Sequence, residues 1–507
     1  MNSHCKRQRF ERRALTGLVF AALLFVVLSP ITVRGQIISV EQDSPSDSRY
    51  NSFNAYTYDP PRPLKHTVKS WTTETLSASN IQALAVAVGD YHPDYPGPEI
   101  ITIEQGSQSD SRYNSINVYA YQPGAARPME HLIKGFTTET NSGTDIEAIA
   151  IAVGDYHPDF PGNEIVTIEH ASGSDPRFSA INVYRYTPGR PLFHTIKQFT
   201  TETNSGSNIQ GRAIAVGDYL PNQAGNEIVT IEQGSQTDGR YNSINAYRYT
   251  AARNLFHAMK QFTTETNSGS NIQGRAIAVG DYFANHPGNE IVTIEQGSQT
   301  DGRYNSINAY RYTAARNLFH TMKQFTTETN SGSNIEGLSI AVGDYHPDFA
   351  GNEIVTIEQE SQTNTRFNAI NVYRNTAVRP LFHTLKGFTH ETNAGGDRQS
   401  ISVAVMSPPP DADDDGITDD DDNCPNDANP DQDDCDGDGI GNVCDATPCP
   451  TTEITNAICD ALSQDPPTSV DGLRDAITSI VEGLLSGSCS QAGIDACVAE
   501  ALTAAGL

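Results

Sequence analysis

Gly-Asp-Tyr recurs at Gly89, Gly154, Gly217, Gly280 and Gly343, spaced by 65 residues once and by 63 residues three times. A period of this length restricts the chain to repeat architectures, in which a unit buries its apolar surface against its neighbours. The unit at 213–275 shows four β-rich runs: AIAV ahead of Gly-Asp, then EIVTIE, INAYRY and LFHAMKQF. Gly, Asn, Asp, Ser and Pro fill the intervals, which is turn chemistry. The first two runs are apolar almost throughout, as strands covered on both faces require. Four antiparallel strands per unit is the content of one β-propeller blade. Helical solenoids need longer i, i+3, i+4 apolar stretches than this region offers, and parallel β-solenoids have a shorter period.

Counting runs sets the blade number. Residues 37–73 supply the second, third and fourth runs, beginning at IISVEQ, with no first run. Five complete units follow, and residues 401–406 then appear in phase as a lone first run. The expected fold is all-β: a six-bladed propeller over 37–407, its last blade made from three N-terminal strands and one C-terminal strand. Such closure removes the exposed sheet edge. An open β array is the alternative, and the matched fragments at the two ends argue against it.

The pattern apolar-Gly-Asp-aromatic, an acidic loop, then Glu-Ile-Val-Thr-Ile resembles the FG-GAP/VCBS repeat of integrin-type propellers across roughly 37–406. The resemblance implies calcium bound by the loop after the first strand, where alternating oxygen donors converge on one hard cation. The positions that carry over are Asp90, Asp94 and Glu99, then Asp155, Asp159 and Glu164, then Asp344, Asp348 and Glu353. The loops depart from the family pattern. His157 stands at the third position, each loop is one residue longer, and Asn222 and Asn285 hold the fifth position in two blades. Met406-Ser407 replaces Gly-Asp on the closing strand. Imidazole is a poor calcium ligand. The competing reading is a tight turn capped by Asp, with His and Tyr packed over it.

Two further sets recur. Glu104, Asp110, Arg112 and Tyr113 reappear as Glu232, Asp238, Arg240 and Tyr241, and as Glu295, Asp301, Arg303 and Tyr304. Arg, a carboxylate and an aromatic ring together can grip a sugar, and the set resembles that of multivalent six-bladed lectins. An Arg–carboxylate pair that pins each hairpin over a packed Tyr is the structural alternative. The second set is one histidine per blade: His66, His131, His194, His257, His320 and His383. Spread around a ring these cannot share a metal, so they read as structural.

Net charge is -29, and residues 411–445 hold fifteen Asp with no Lys or Arg. That balance argues against nucleic acid as a partner. The segment reads DADDDGITDDDDNCPNDANPDQDDCDGDGIGNVCD and resembles a thrombospondin type-3 repeat. Asp411, Asp413, Asp415 and Gly416 make one D-x-D-x-D-G, followed by Asp419 and Asp422; Asp434, Asp436, Asp438 and Gly439 make a second. The resemblance implies calcium as the cofactor. Odd-spaced carboxylates point to a common centre and Gly allows the sharp turn. Without a cation such charge density repels itself. An acidic flexible linker after Pro408-Pro409-Pro410 is the alternative. Cysteines of that family form disulfides here; Cys424 with Cys444 is one arrangement, and the sequence leaves the pairing open.

Lys6, Arg7, Arg9, Arg12 and Arg13 precede an apolar run over 14–28. This reads as an export signal over 1–35, cleaved, with an uncleaved anchor as the alternative. Seven of the eight cysteines lie in the last 84 residues, the usage of small disulfide-stapled units in an oxidising compartment. The domains expected are the signal, the propeller, a Pro linker with the acidic segment over 408–446, and a tail over 447–507. Apolar spacing in that tail predicts three short amphipathic helices, with disulfides among Cys459, Cys489 and Cys497 able to staple them.

No Gly-x-Ser-x-Gly, His-Glu-x-x-His or one-copy catalytic cluster is present. The expectation is a secreted or cell-surface calcium-binding propeller acting in adhesion or ligand binding. Its partner would be an extracellular protein or glycan, with no membrane span after signal cleavage. A multivalent lectin and an exported polysaccharide-active enzyme are the alternatives.

Overall fold

A computed structural model describes residues 35–43, 50–72, 83–95, 97–105, 114–122, 127–138, 148–160, 162–170, 179–201, 211–221, 225–233, 242–263, 274–283, 286, 288–296, 305–313, 315–326, 337–347, 349, 351–359, 368–390, 400–408, 417, 419, 422–430, 432–436, 439–445, 448–464, 467–485 and 490–505. The export signal therefore lies outside the described residues. The chain divides into two compact units, one spanning Arg34–Pro408 and the other containing Pro409–Leu507.

The first unit holds all the described strands. The chain begins with β1 (Gln36–Asp43), β2 (Tyr50–Asp59) and β3 (Arg62–Trp71). Blade 1 follows as β4 (Ala83–Gly89), β5 (Glu99–Gln105), β6 (Asn114–Tyr121) and β7 (Met129–Phe136). Blade 2 is β8 (Ala148–Gly154), β9 (Glu164–His170), β10 (Ser179–Arg185) and β11 (Phe193–Phe199). Blade 3 is β12 (Gly211–Gly217), β13 (Glu227–Gln233), β14 (Asn242–Thr250) and β15 (Arg253–Phe262). Blade 4 is β16 (Gly274–Gly280), β17 (Glu290–Gln296), β18 (Asn305–Thr313) and β19 (Arg316–Phe325). Blade 5 is β20 (Gly337–Gly343), β21 (Glu353–Gln359), β22 (Asn368–Arg374) and β23 (Phe382–Phe388), and β24 (Ser400–Met406) comes last.

These strands make six four-stranded antiparallel sheets. The sixth sheet runs β24-β1-β2-β3, with Ile37 opposite Val405 and Ile38 opposite Ala404. The lone in-phase run at the C-terminus therefore completes the N-terminal three strands. The first strands of the blades touch in a closed cycle, β4–β8–β12–β16–β20–β24 and back to β4. Each is the edge of its own sheet, so six unpaired edges surround one axis. The closing strand is held on both sides: Val86 N–H donates to Ser402 Oγ (3.2 Å) and Val403 N–H to Ser339 Oγ (3.1 Å).

Packing explains why the repeat is so regular. Ile101, Ile103, Ile116 and Val118 of blade 1 are fully buried, and so are their counterparts in later blades. Each apolar cluster spans two adjacent blades, as where Val229 and Ile231 of blade 3 meet Ile277 and Ile291 of blade 4. The glycine that ends the first strand of blades 1–5 is required by this contact. A Cβ on Gly217 would lie 2.6 Å from Val279 Cγ1 of the next blade.

Among its described residues the second unit has three helices, α1 (Thr451–Gln464), α2 (Val470–Leu485) and α3 (Gln491–Ala504). Ile454, Ile477, Val481, Leu485 and Ile494 share one buried cluster with Cys435, Cys449 and Cys497. The end of the acidic segment therefore packs into the core of the helices. Cys424 pairs with Cys444, and Cys449 pairs with Cys497. The second bond corrects the expectation of disulfides among Cys459, Cys489 and Cys497, because Cys497 pairs with Cys449 instead. Cys449 precedes α1, and its Cα lies 5.6 Å from that of Cys497 on α3, a distance a disulfide spans. Among the described residues no helix is long and apolar enough to cross a membrane.

Candidate functional site

The loop that follows the first strand of blades 1–5 is organised by its glutamate. Glu164 Oε2 accepts the backbone N–H groups of Tyr156 (2.9 Å) and His157 (3.1 Å). Glu99 holds Tyr91 and His92 in the same way, Glu227 holds Tyr219 and Leu220, Glu290 holds Tyr282 and Phe283, and Glu353 holds Tyr345 and His346. A carboxylate at the start of the second strand thus satisfies the donors of the turn it faces. Glu99, Glu164, Glu227, Glu290 and Glu353 are buried. Burial pushes the pKa of each up to about 7, against the lowering effect of its backbone donors.

The other expected loop ligands are placed differently. Asp90 and Asp155 are exposed beside these glutamates, and their charge raises the Glu99 and Glu164 pKa values further. Asp344 is half-buried, and burial raises its own pKa. Asp94 and Asp159 are exposed. Their backbone N–H groups donate to Nδ1 of His92 (3.2 Å) and His157 (3.3 Å), so the third-position histidine acts as a turn acceptor. His157 also lies 4.0 Å from the Tyr249 ring of the next blade, and Tyr249 Oη donates to Asp159 Oδ2 at 3.3 Å. The structure thus brings together one Asp and one Glu per loop with aromatic neighbours. Asp348, Asn222 and Asn285 lie outside the described residues.

The loop tyrosines latch the blades. Tyr91 Oη donates to Pro191 O (2.5 Å), Tyr156 to Asn254 O (2.5 Å), Tyr219 to Asn317 O (2.6 Å), Tyr282 to Pro380 O (2.7 Å) and Tyr345 to Pro63 O (2.6 Å). Every acceptor belongs to the following blade. The blade 6 to blade 1 junction has no counterpart, because Met406-Ser407 replaces Gly-Asp and Pro408 follows where Tyr stands elsewhere.

The glutamate of the second recurrent set is also structural. Glu104, Glu232 and Glu295 are fully buried. Glu232 Oε1 accepts from Thr230 Oγ1 (2.7 Å) and Tyr247 Oη (2.6 Å), and Tyr247 Oη accepts the Thr201 N–H of the preceding blade (2.8 Å). Glu104 meets Thr102 and Tyr119 likewise, and Glu295 meets Thr293 and Tyr310. No buried carboxylate of this kind is available to a sugar. The companions Arg112, Tyr113, Arg240, Tyr241, Arg303 and Tyr304 lie outside the described residues. The recurrent histidines each donate from Nε2 to an Asn Oδ1 on the third strand, as His257 does to Asn245 at 2.9 Å. The sequence pointed to neither carboxylate role. The available signal was two Glu flanking an apolar strand, five residues apart and so on opposite faces.

In the acidic segment, Asp434 Oδ2 accepts the N–H of Gly439 at 2.9 Å, and Gly439 has φ +92°. The second D-x-D-x-D-G run therefore closes into a loop at its glycine. Upstream, Asp422 Oδ1 accepts Cys424 N–H (2.8 Å) and Gln432 Nε2 (2.8 Å), and Asn429 Nδ2 donates to Asn423 Oδ1 (2.6 Å). Asp433 takes the N–H of Ser490, the N-cap of α3. Carboxylate oxygens suit a calcium ion, and Asp434 and Asp436 are the described members of that set. Asp419 is described also, while Asp411, Asp413, Asp415 and Asp438 are not. Among the described residues no group of three or more His, Cys, Asp or Glu converges as a metal site.

The six closed blades define a six-bladed β-propeller with a separate disulfide-bonded helical unit. No protein-family model matches the chain, and no curated protein matches it. Among solved structures, similarity is found to the crystal structure of a protein from Lactobacillus plantarum, at 11% identity and a TM-score of 0.39. The match covers 74% of this chain and 99% of that one.

Proposed function

We infer that the protein is an exported, calcium-binding propeller that presents its ring to an extracellular protein or glycan. The observation that carries this reading is the closed Asp434–Gly439 loop, joined to the helical core by Asp433 and Cys435. A cation held there would stiffen a folded unit, which a linker role does not require. The resemblances to FG-GAP/VCBS and thrombospondin type-3 repeats support the same reading, as does the basic–apolar N-terminus. The ring contributes scaffold: among the described residues its recurrent Glu and Tyr side chains are spent on turns and latches. The binding face is thus assigned to surface loops on a rigid frame.

Calorimetric titration of the full chain with calcium tests the proposal. Saturable uptake is expected, with a rise in the melting temperature of the 409–507 unit that a chelator reverses. Asp434→Asn with Asp436→Asn should weaken uptake at least tenfold and leave the ring's transition in place. No uptake, with melting indifferent to chelator, would remove the calcium claim.

A further inference from the structure

The near-identical blades break their symmetry on the innermost strands. The second residue of these strands is Leu84, Ile149, Leu338 or Ile401 in four blades, and Arg212 or Arg275 in the other two. Blades 3 and 4 are adjacent, and β12 touches β16. The two arginines therefore stand on neighbouring innermost strands, close enough for the Arg275 charge to act on Arg212, at the strand ends away from the Gly-Asp loops. The separation along the strand from Arg212 to Gly217 is about 17 Å at ~3.3 Å per residue.

Arg212 occupies a bulge: Gly211 pairs with Glu232 and Ala213 with Ile231, leaving the residue between them outside the ladder. Arg275 stands at the same bulge between Gly274 and Ala276. Arg212 is half-buried, and its Nε is buried with no hydrogen-bond partner. The neighbouring Arg275 charge and burial, burial first, hold the Arg212 pKa below its usual value. A partly buried cation beside a like charge is costly unless an anion neutralises it. In a chain of net charge -29, such a pair runs against the general acidity.

We propose that Arg212 and Arg275 form an oxyanion-binding site at the axial end of the ring opposite the Gly-Asp loops. The ligand carries a carboxylate, sulfate or phosphate group, which two guanidinium forks bind by paired, charge-assisted hydrogen bonds. The site exists once per ring, so it binds one ligand where repeated features would bind several. It does not depend on the calcium reading.

The test is calorimetric titration of the full chain with acetate, glucuronate, sulfate and inorganic phosphate, each against chloride at matched ionic strength. A crystal soaked in selenate is read for anomalous scattering. The expected result is saturable binding of at least one oxyanion to one site per chain, with a selenate peak between the two arginines. The carboxylate and tetrahedral arms decide which group is preferred. Arg212→Leu with Arg275→Leu installs a residue already present at the equivalent positions in blades 1 and 5, and should weaken binding more than tenfold without lowering the melting temperature. Arg212→Lys retains the charge without the fork and should weaken it less; it serves as the second variant if the double Leu chain fails to fold. Equal binding by wild type and these variants, or no saturable binding of any of the four anions, would overturn the proposal.

Discussion

Blades 2 and 5 carry a defect that the other blades identify. In four blades a serine near the start of the third strand accepts the Nδ2 of an asparagine two residues on: Asn54 to Ser52 at 3.0 Å, Asn117 to Ser115 at 3.0 Å, Asn245 to Ser243 at 2.9 Å and Asn308 to Ser306 at 2.9 Å. In blades 2 and 5 that residue is Ala180 or Ala369, and Nδ2 of Asn182 and Asn371 is buried with no partner. Ala180 and Ala369 are wholly buried and keep the same register as the serines, opposite Phe199 and Phe388 as Ser243 is opposite Phe262. A hydroxyl added there meets the geometry already used in blades 3 and 4. An intramolecular hydrogen bond contributes about 0.5–1.5 kcal/mol net, and an orphaned buried donor costs about 1–3 kcal/mol. Ala180→Ser and Ala369→Ser should each stabilise the ring by about 1 kcal/mol, additively because they lie in different blades. Chemical denaturation followed by near-ultraviolet signals is the assay, with unfolding rates measured if refolding is incomplete. Ser243→Ala is the mirror experiment and should destabilise by a similar amount. Unchanged or reduced stability in both serine variants would refute the reasoning, because the predicted acceptor would then supply nothing.

Three other outcomes follow from the same contacts. Five loop glutamates titrate near pH 7 in the folded ring and near 4.3 when unfolded; the folded state binds more protons between these values, so stability falls as pH rises from about 4.5 to about 7 and then levels off. His66, lowered to about 4 by burial and by His390, opposes this below pH 6.5, as do His157 and His383, both lowered chiefly by burial. Glu227→Gln retains an acceptor oxygen and should flatten the profile in calcium-free buffer, read from denaturation midpoints at pH 5.5 and pH 8. Gly217→Ala places a Cβ 2.6 Å from Val279 Cγ1 and should lower stability by about 1–3 kcal/mol through forced movement of the adjoining blade. Tyr247→Phe removes the donor to Glu232 and the acceptor for Thr201 N–H and should cost about 2 kcal/mol or more, measured in the same denaturation assay.

The sequence carried the architecture because the propeller is written in local text. Each run of the 63-residue unit is a strand, and the in-phase residues 401–406 became β24 beside β1. The three tail helices were legible from apolar spacing for the same reason. What was not legible is where the polar groups point. Glu99 and Glu104 flank one strand, yet one caps its own loop and the other meets a tyrosine fifteen residues away. The tyrosine of Gly-Asp-Tyr reads as turn packing within a blade, whereas its hydroxyl reaches the next blade almost 100 residues on. Contacts of that kind follow from ring geometry, which no single unit specifies. The pairing of Cys449 with Cys497 depends likewise on how α3 folds back.

The account rests on a ring closed by pairing the last strand with the first. A double cysteine variant tests this directly, since residues 36–406 contain no cysteine of their own. Ile38→Cys with Ala404→Cys, and separately Ser39→Cys with Val403→Cys, place thiols at partner positions of the β1–β24 ladder. After mild oxidation and digestion, mass spectrometry should find the peptide containing residue 38 or 39 joined to the peptide containing residue 404 or 403, within one chain. Links only between molecules, or none from either pair, would contradict the closed six-bladed ring.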